Sequence, residues 1–222
     1  MNTASKSNVV RLSHVLEKEY GTISWYPRRD AINELVYTIL SQHTSDINSE
    51  RAFDNLITHF ESTEAISNAD ILEIQQCIKT AGLHKIKAER IKKVLNIIDA
   101  RIGGFDLSFL AEMPLEIAKS WLKSLPGIGP KTAAIVLCFS FGMPAMPVDT
   151  HIYRVSRRLG LIDSKASADK AHDLMEKIVD PDKIFPFHMY LIKHGRKVCK
   201  ALKPRCNECV VASMCPSRLK LS

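Results

Sequence analysis

The sequence predicts an all-α fold. Apolar residues recur at the three- and four-residue spacing of amphipathic helices along most of the chain. The alternation of β-branched and polar residues that is typical of strands is nowhere sustained. The sequence has no internal repeat and no low-complexity linker. Its 222 residues can bury the core of one large domain or of two small ones.

The first clear helical patterns lie between residues 49 and 104. From Ser49 to Phe60 the apolar residues fall on one face and the polar residues on the other. A second helix is predicted from Lys85 to Arg101, where Gly103 and Gly104 supply a stop. The second helix carries five cations, which form either a solvated face or a face turned towards DNA: Lys85, Lys87, Arg90, Lys92 and Lys93.

The helices of the second half are marked by their ends. Pro114 suits the first turn of a helix that runs to Leu125, and another helix is predicted from about Lys131. Asp149 begins a helix that closes at Gly160. Two further helical stretches fit Ala168 to Val179 and Phe187 to Val198.

The charge balance favours a polyanionic partner. Lys and Arg outnumber Asp and Glu by 31 to 24, which gives a net charge of +7. The alternative is an ordinary solvated surface. The N-terminus is polar, and no run approaches the roughly 18 apolar residues that a membrane span needs. We therefore expect a soluble protein of the cell interior, without a membrane partner.

The stretch from Leu125 to His151 contains a candidate phosphate-binding turn. A helix, the tight turn PGIGP and a second helix would form a helix-hairpin-helix. The glycines Gly127 and Gly129 on either side of Ile128 let main-chain N–H groups approach a phosphate, and the following helix aims its positive end the same way. Such binding is independent of base sequence. The alternative is an ordinary turn between helices.

Lys131 and Asp149 are the candidate reactive residues. The positive end of a helix disfavours a cation at position 131, and a neutral amine is a nucleophile that forms a Schiff base with a carbonyl-like carbon. Asp149 is a favoured helix N-cap, and a carboxylate fixed in this way can also stabilise positive charge. The alternative for Lys131 is a simple phosphate contact.

Four of the six cysteines lie within seventeen residues of the chain. Cys199, Cys206, Cys209 and Cys215 have the spacing C-x6-C-x2-C-x5-C. Four such thiolates can hold zinc or an iron–sulfur cluster, and the single close pair favours the cluster. The other two cysteines, Cys77 and Cys138, are expected to be core residues.

The motifs together resemble the helix-hairpin-helix DNA glycosylases of the endonuclease III type. The resemblance rests on LPGIGPKTAA followed by PVDTHIYRV, and it extends through LSQHTSD, GLHKIKAERI and HGRKVC. It covers nearly the whole chain from about residue 30. It implies two helical lobes with damaged double-stranded DNA bound in the cleft between them. One lobe would be a helical barrel at residues 24–143 with the hairpin at about 115–141. The other would combine 1–23 with 144–222 and carry a [4Fe-4S] cluster loop at 199–215.

The resemblance also implies roles for individual residues. Lys131 would attack C1′ of the sugar and Asp149 would assist from the other lobe, while the four clustered cysteines would bind the [4Fe-4S] cluster. His43, preceded by Gln42, occupies the position of the family's usual glutamine wedge, and Leu83 matches a second wedge. The alternatives are a surface histidine and a core leucine. Pro130 stands where an arginine is common.

The function implied is that of a monomeric base-excision repair enzyme in the cytoplasm, associated with the nucleoid. It would be a bifunctional DNA glycosylase and AP lyase for damaged, oxidised pyrimidines. A glycosylase for uracil or a mismatched base, or an enzyme that is mainly an AP lyase, would keep the same fold. A non-catalytic DNA-binding module is the third hypothesis.

Overall fold

The computed structural model describes residues 6–218, and these residues form helices and no strands. The α-helices are α1 (Lys6–Tyr20), α2 (Ala31–Ser41), α3 (Asp46–Phe60), α4 (Thr63–Asn68), α5 (Ile71–Cys77), α6 (His84–Ile102), α7 (Leu115–Lys123), α8 (Pro130–Phe141), α9 (Thr150–Arg158), α10 (Ala168–Ile178) and α11 (Ile184–Lys197). Short 3-10 helices occupy Lys79–Ala81, Ser108–Glu112, Pro181–Lys183, Cys206–Glu208 and Ala212–Met214. The predicted all-α fold is confirmed.

The described residues divide into two compact units. One unit is Pro27–Phe141, and the other combines residues 6–26 with 142–218. The outermost residues of the predicted second lobe, 1–5 and 219–222, lie outside the described residues.

The unit Pro27–Phe141 is built around α2. Nearly every residue of α2 from Ala31 to Leu40 is buried, because α3 packs on one side of it and α8 on another. The helix α8 is itself apolar over most of its surface, so it can pack between neighbours. Within this core the fully buried carboxylate of Glu34 is paired with Arg28 at 2.6 Å. The hairpin α7–α8 is thus attached to the buried core of this unit through α8.

The other unit packs α1 and α9 against α11. Leu12 and Leu16 of α1 are buried, as are Phe187 and Tyr190 of α11. These large apolar side chains form the core of the unit. They support α9, which begins directly after Asp149.

Several helix ends follow the predicted signals, whereas α3 begins at Asp46 and α11 at Ile184, each three residues before the predicted start. Gly103 ends α6 in the left-handed region at φ +68°, which glycine adopts without steric cost. Asp149 caps α9 as predicted. Pro114, however, is the N-cap of α7 and not a residue of its first turn, because its ψ of 137° is extended. No helix of the described residues is long and apolar enough to cross a membrane.

Candidate nucleic-acid interface and cysteine cavity

The glycine turn between α7 and α8 is held by its own main chain and by one buried side chain. Ile128 N–H donates to the carbonyl of Leu125 at 3.2 Å. The Ile128 side chain is only 5% exposed, so it anchors the turn in the core of the unit. The surface that the turn offers to a partner is therefore backbone on either side of Ile128, at the two exposed glycines.

The two glycines of the turn serve different purposes. Gly127 lies at φ +75°, a left-handed backbone that favours glycine, and a Cβ added there would displace the end of the Arg90 side chain. Gly129 has an ordinary φ and would meet nothing within 4 Å. Because nothing within the protein requires glycine at position 129, its backbone is open for close approach by a ligand.

Lys131 is exposed in the first turn of α8. Pro130 is the first residue of this helix, a position where the missing N–H costs nothing and the fixed φ is favourable. The next residues, Thr132 and Ala133, are buried. The Lys131 amine thus sits at the positive end of a buried helix, beside main-chain N–H groups that have no partner within the helix.

Asp149 is half-buried and fixed in direction by its capping role. Its Oδ1 accepts a hydrogen bond from Ile152 N–H at 2.7 Å. This bond fills one carboxylate oxygen, and Oδ2 has no hydrogen-bond partner among residues 6–218. A carboxylate held in this way keeps a free acceptor pointing in one direction.

The extended segment that leads to Asp149 is pinned by three buried or half-buried side chains. Glu176 Oε1 accepts from Met146 N–H at 2.8 Å. The Nδ1 atom of His172 lies 2.8 Å from the Met146 carbonyl oxygen, and that of His188 lies 2.9 Å from the Pro147 carbonyl oxygen. These contacts fix the point at which the chain enters α9 and therefore the position of the Asp149 carboxylate.

The predicted wedge residue His43 lies in the turn between α2 and α3. It is exposed and adopts φ +54°, in the left-handed region that non-glycine residues rarely occupy. Gln42 before it is half-buried, and its Oε1 accepts a hydrogen bond from Arg90 Nη1 at 2.5 Å. The imidazole is thus presented on a strained and well-supported turn, whereas the amide of Gln42 is occupied within the protein.

The second predicted wedge, Leu83, has the same unusual backbone. It lies at φ +48° directly before α6, and its side chain is 55% exposed. Burial of the Leu83 side chain therefore does not account for the strained backbone at this position. Such strain is typical of functional positions. The alternative of a core leucine is thereby excluded.

Lys87 in α6 holds the backbone around both predicted wedges. Its side chain is buried, and its Nζ donates to three acceptors: the Leu40 carbonyl at 2.6 Å, Thr44 Oγ1 at 2.7 Å and the Ala81 carbonyl at 2.8 Å. Lys87 therefore belongs neither to a solvated face nor to one turned towards DNA. Burial and the neighbouring Arg90 lower the pKa of Lys87 to about 8.

Arg90, one turn after Lys87, joins the hairpin to the turn of the first wedge. Its guanidinium packs against Gly127 and donates to Gln42. Three surface turns, those of His43, Leu83 and Gly127, are thus tied to one end of α6. All three belong to the same unit of the protein.

The four clustered cysteines line one cavity. The cavity is partly open to solvent and is lined by Cys199, Cys206, Cys209 and Cys215 together with Arg158. Arg158 Nη1 donates to Cys199 Sγ at 3.4 Å. Burial raises the pKa of Cys209 and of Cys215, and each is raised further by the neighbouring thiols.

The four thiols lining this cavity form a donor set that both zinc and iron–sulfur clusters use. Main-chain groups hydrogen-bond to the sulfurs of Cys209 and Cys215, as is usual around iron–sulfur clusters.

Several positioning residues are missing from the sequence-based prediction. Lys87 was the one that a sequence signal could have revealed, because it occupies the position before Ile91, Val94 and Ile98 on the apolar stripe of α6. A lysine on an apolar stripe must find buried acceptors. The contacts of His172 and His188 with the segment before Asp149 carry no comparable signal.

Comparisons with known proteins agree on one family. The family model described as "HhH-GPD superfamily base excision DNA repair protein" matches residues 36–181. Endonuclease III of Thermotoga maritima is 33% identical over 84% of this chain and 83% of that protein, and endonuclease III of Bacillus subtilis is 36% identical over 82% and 80%. The solved structure of a trapped endonuclease III–DNA covalent intermediate matches with a TM-score of 0.83 and 27% identity, over 98% of both chains.

Proposed function

Because this chain belongs to the endonuclease III family of HhH-GPD base excision DNA repair proteins, we propose that it excises oxidised pyrimidines from double-stranded DNA and cuts the strand at the resulting abasic site. Family membership makes it a DNA glycosylase and AP lyase. The proposed chemistry is supported above all by the exposed Lys131 amine, which lies at the positive end of α8 directly after the glycine turn.

The proposed reaction uses Lys131 as the nucleophile. The damaged base leaves the stack, because its glycosidic carbon is unreachable inside the duplex. Lys131 Nζ then forms a bond to C1′ while the glycosidic C–N bond breaks, and the base departs with the bonding electrons and takes up a proton. Nζ then loses a proton, and its electron pair opens the C1′–O4′ bond; O4′ takes up a proton, which leaves a protonated Schiff base between Nζ and C1′. Removal of a proton from C2′ then breaks the C3′–O bond and cleaves the strand.

Asp149 is the proposed electrostatic partner. Its Oδ1 is held by the N-cap hydrogen bond, which leaves Oδ2 to stabilise positive charge on the sugar or to accept the proton of the amine. The pinned segment before it supports this role, because a fixed carboxylate needs no reorganisation during the reaction.

DNA binding is proposed to use backbone and wedge contacts. The exposed backbone at Gly127 and Gly129, with the N-terminus of α8, would bind a phosphate without regard to sequence. His43 and Leu83 would fill the gap that the flipped base leaves, which the strained and exposed backbone at both positions supports. The protein would act as a monomer on nucleoid DNA.

The cysteine cavity is the proposed site of a [4Fe-4S] cluster, held by Cys199, Cys206, Cys209 and Cys215. When bound, the cluster would supply a rigid cross-link that folds the loop 199–215. The chain itself contributes exposed cations on that loop, Lys200, Lys203 and Arg205, which can approach DNA phosphates. Their role in affinity is therefore electrostatic and dependent on salt.

Borohydride trapping tests the proposed chemistry. A duplex with an abasic site should give a covalent adduct with the wild-type protein, and Lys131→Ala should abolish it. Lys165→Ala, which removes an exposed lysine of a loop after α9, should trap like the wild type. An adduct that persists in Lys131→Ala would remove the Schiff-base assignment.

A panel of duplexes with single lesions tests the substrate class. We expect release of thymine glycol and other oxidised pyrimidines, each followed by strand cleavage. Release of uracil or a mismatched thymine alone would assign the enzyme to a different lesion. Cleavage of abasic sites without release of any base would make it mainly an AP lyase.

A further inference from the structure

Lys87 has no part in the chemistry proposed above, yet its buried amine donates three hydrogen bonds close to the predicted DNA interface. Only 2% of the residue is exposed, and its three hydrogen bonds end on atoms far apart in the sequence. Burying an ammonium group is costly unless every proton finds an acceptor. A site with three acceptors within 2.8 Å meets that requirement.

The three acceptors bracket the two strained turns. The Leu40 carbonyl lies before His43 in the chain and Thr44 lies directly after it, so Lys87 grips the first turn on both sides. The Ala81 carbonyl lies two residues before Leu83. The main-chain N–H of Lys87 donates to the carbonyl of Leu83 itself at 3.0 Å.

The strain at these turns explains why hydrogen bonds are needed to hold their backbone. A non-glycine residue in the left-handed region costs about 1–2 kcal/mol and persists only where its surroundings fix it. Both His43 and Leu83 are exposed, so no core packing holds their side chains. Hydrogen bonds to the neighbouring residues therefore hold these turns, and the Lys87 amine is the group that donates to both of them.

The link between the turns is direct. Thr44 Oγ1 donates to the Ala81 carbonyl, so the two turns also contact each other beside the Lys87 amine. A displacement of one turn is therefore transmitted to the other through a shared set of hydrogen bonds. The amine sets the spacing at which His43 and Leu83 stand on the surface.

We infer that Lys87 is a positioning residue that sets both wedge residues, His43 and Leu83, for insertion into DNA, acting through the backbone at Leu40, Thr44 and Ala81. The inference rests on the proposed function, because it concerns how the base is taken from the duplex. It assigns Lys87 no contact with DNA and no part in the Schiff-base chemistry.

The test compares Lys87→Met with a matched variant of the same helix. Lys92 also donates to two main-chain carbonyls, Ser67 at 2.9 Å and Ala69 at 2.6 Å, but these lie at the end of α4, away from both wedges. Lys92→Met therefore removes a similar set of hydrogen bonds without touching the turns. Both variants should lose comparable stability in chemical unfolding.

Two DNA measurements separate positioning from chemistry. The first is the fluorescence of 2-aminopurine placed opposite a tetrahydrofuran abasic-site analogue in a duplex, which rises when wedge residues unstack it. The second is borohydride trapping on a single-stranded oligonucleotide with an abasic site, where no opposite strand has to be wedged. Single-turnover cleavage of an abasic site in a duplex completes the set.

For Lys87→Met we expect the fluorescence rise to be lost and the duplex cleavage rate constant to fall roughly 10- to 100-fold, as expected for misplacement by about 1 Å. Trapping on the single strand should stay within about twofold of the wild type, since Lys131 is untouched. Lys92→Met should resemble the wild type in all three assays.

A second variant tests the route of action. Thr44→Val removes one of the three acceptors and should give an intermediate loss of fluorescence and cleavage. If Lys87 acts through Thr44, the double variant should lose no more than Lys87→Met alone, because coupled residues are not additive.

Two results would overturn the inference. One is a Lys87→Met protein that wedges and cleaves duplex DNA as well as Lys92→Met. The other is a Lys87→Met protein that loses single-strand trapping in step with duplex cleavage. If the wild-type protein traps no abasic DNA, the proposed function is wrong, and the inference about Lys87 is wrong with it. The wild-type measurement alone shows this, so the two failures can be told apart.

Discussion

Single residues in this protein combine structural and chemical roles that substitutions can separate. Asp149 is the clearest case, because the same carboxylate caps α9 and is the proposed electrostatic partner of Lys131. The N-cap hydrogen bond uses Oδ1, and the proposed chemistry uses Oδ2. Asparagine keeps the first function and removes the charge on which the second depends.

We expect Asp149→Asn to unfold at nearly the wild-type denaturant concentration and to lose most of its glycosylase activity. Asp149→Ala should lose the activity and also about 1 kcal/mol of stability, because the cap is removed. Ser167 caps α10 in the same way and serves as the control. Ser167→Ala should lose stability and keep activity, as measured by urea unfolding and by single-turnover excision. An Asp149→Asn protein of wild-type activity would restrict Asp149 to its cap.

The lowered pKa of Lys87 predicts that the free energy of unfolding depends on pH. Its pKa is lowered from 10.5 to about 8 on folding, so between these values the unfolded chain binds more protons than the native protein. The contribution of this group to stability should therefore rise as the pH increases from about 8 to 10.5. Urea unfolding of wild type and Lys87→Met across this range isolates the contribution, because other groups cancel in the difference. A difference that stays constant with pH would contradict the shift.

At the scale of elements, the hairpin α7–α8 shows how one motif contains two unlike glycines. The left-handed backbone favours glycine at position 127, and a side chain there would also displace Arg90. Position 129 has open space and an ordinary φ, so an alanine there strains nothing within the protein. An alanine at position 129 would clash only with a ligand bound close to the backbone there.

Gly127→Ala should therefore lower stability by about 1–2 kcal/mol, through the left-handed backbone alone, and more if Arg90 cannot move. Gly129→Ala should leave the unfolding midpoint within about 0.5 kcal/mol of the wild type and still weaken binding to undamaged duplex DNA. Fluorescence anisotropy with a labelled duplex measures the second effect. Undiminished affinity in Gly129→Ala would place the phosphate elsewhere.

The helix α6 illustrates what a helical period predicts and what it leaves open. Its length and its glycine stop follow from local sequence, and the structure confirms both. The row of cations in its sequence does not distinguish Lys87 and Lys92, which donate to main-chain carbonyls of other elements, from the exposed Lys85 and Lys93. The acceptors come from other elements, so the helix alone does not specify them.

At the scale of the whole molecule, both units have an apolar core, but the loop 199–215 of the second unit contributes little to it. The unit Pro27–Phe141 has an extensive apolar core around α2. The loop 199–215 of the other unit contains only short 3-10 helices and few buried residues. Such a loop needs a cross-link to order it, which the four cysteines can provide through a cluster.

Removing one cysteine ligand should therefore unfold the loop without unfolding the unit Pro27–Phe141. We expect Cys206→Ser to lose bound iron and the broad visible absorbance of a cluster, with increased proteolysis within 199–215. Cys77→Ser, in the unit Pro27–Phe141, should keep the full iron content. Colourless wild-type protein that contains zinc would contradict the cluster assignment.

The amino-acid sequence by itself determined the all-α class and the helices α3 and α6 to α11, together with the glycine turn, Lys131, Asp149 as a cap and the spacing of the four cysteines. Each of these depends on residues near one another in the chain, where periodicity, caps and turn residues specify the local backbone. Only the tertiary structure decided that Lys87 donates hydrogen bonds at the turns of His43 and Leu83, the proposed wedges, and that Arg90 joins Gln42 to the hairpin. The partners in these contacts are as many as 47 and 48 residues apart, so a buried amine finds its acceptors only after separate elements have packed.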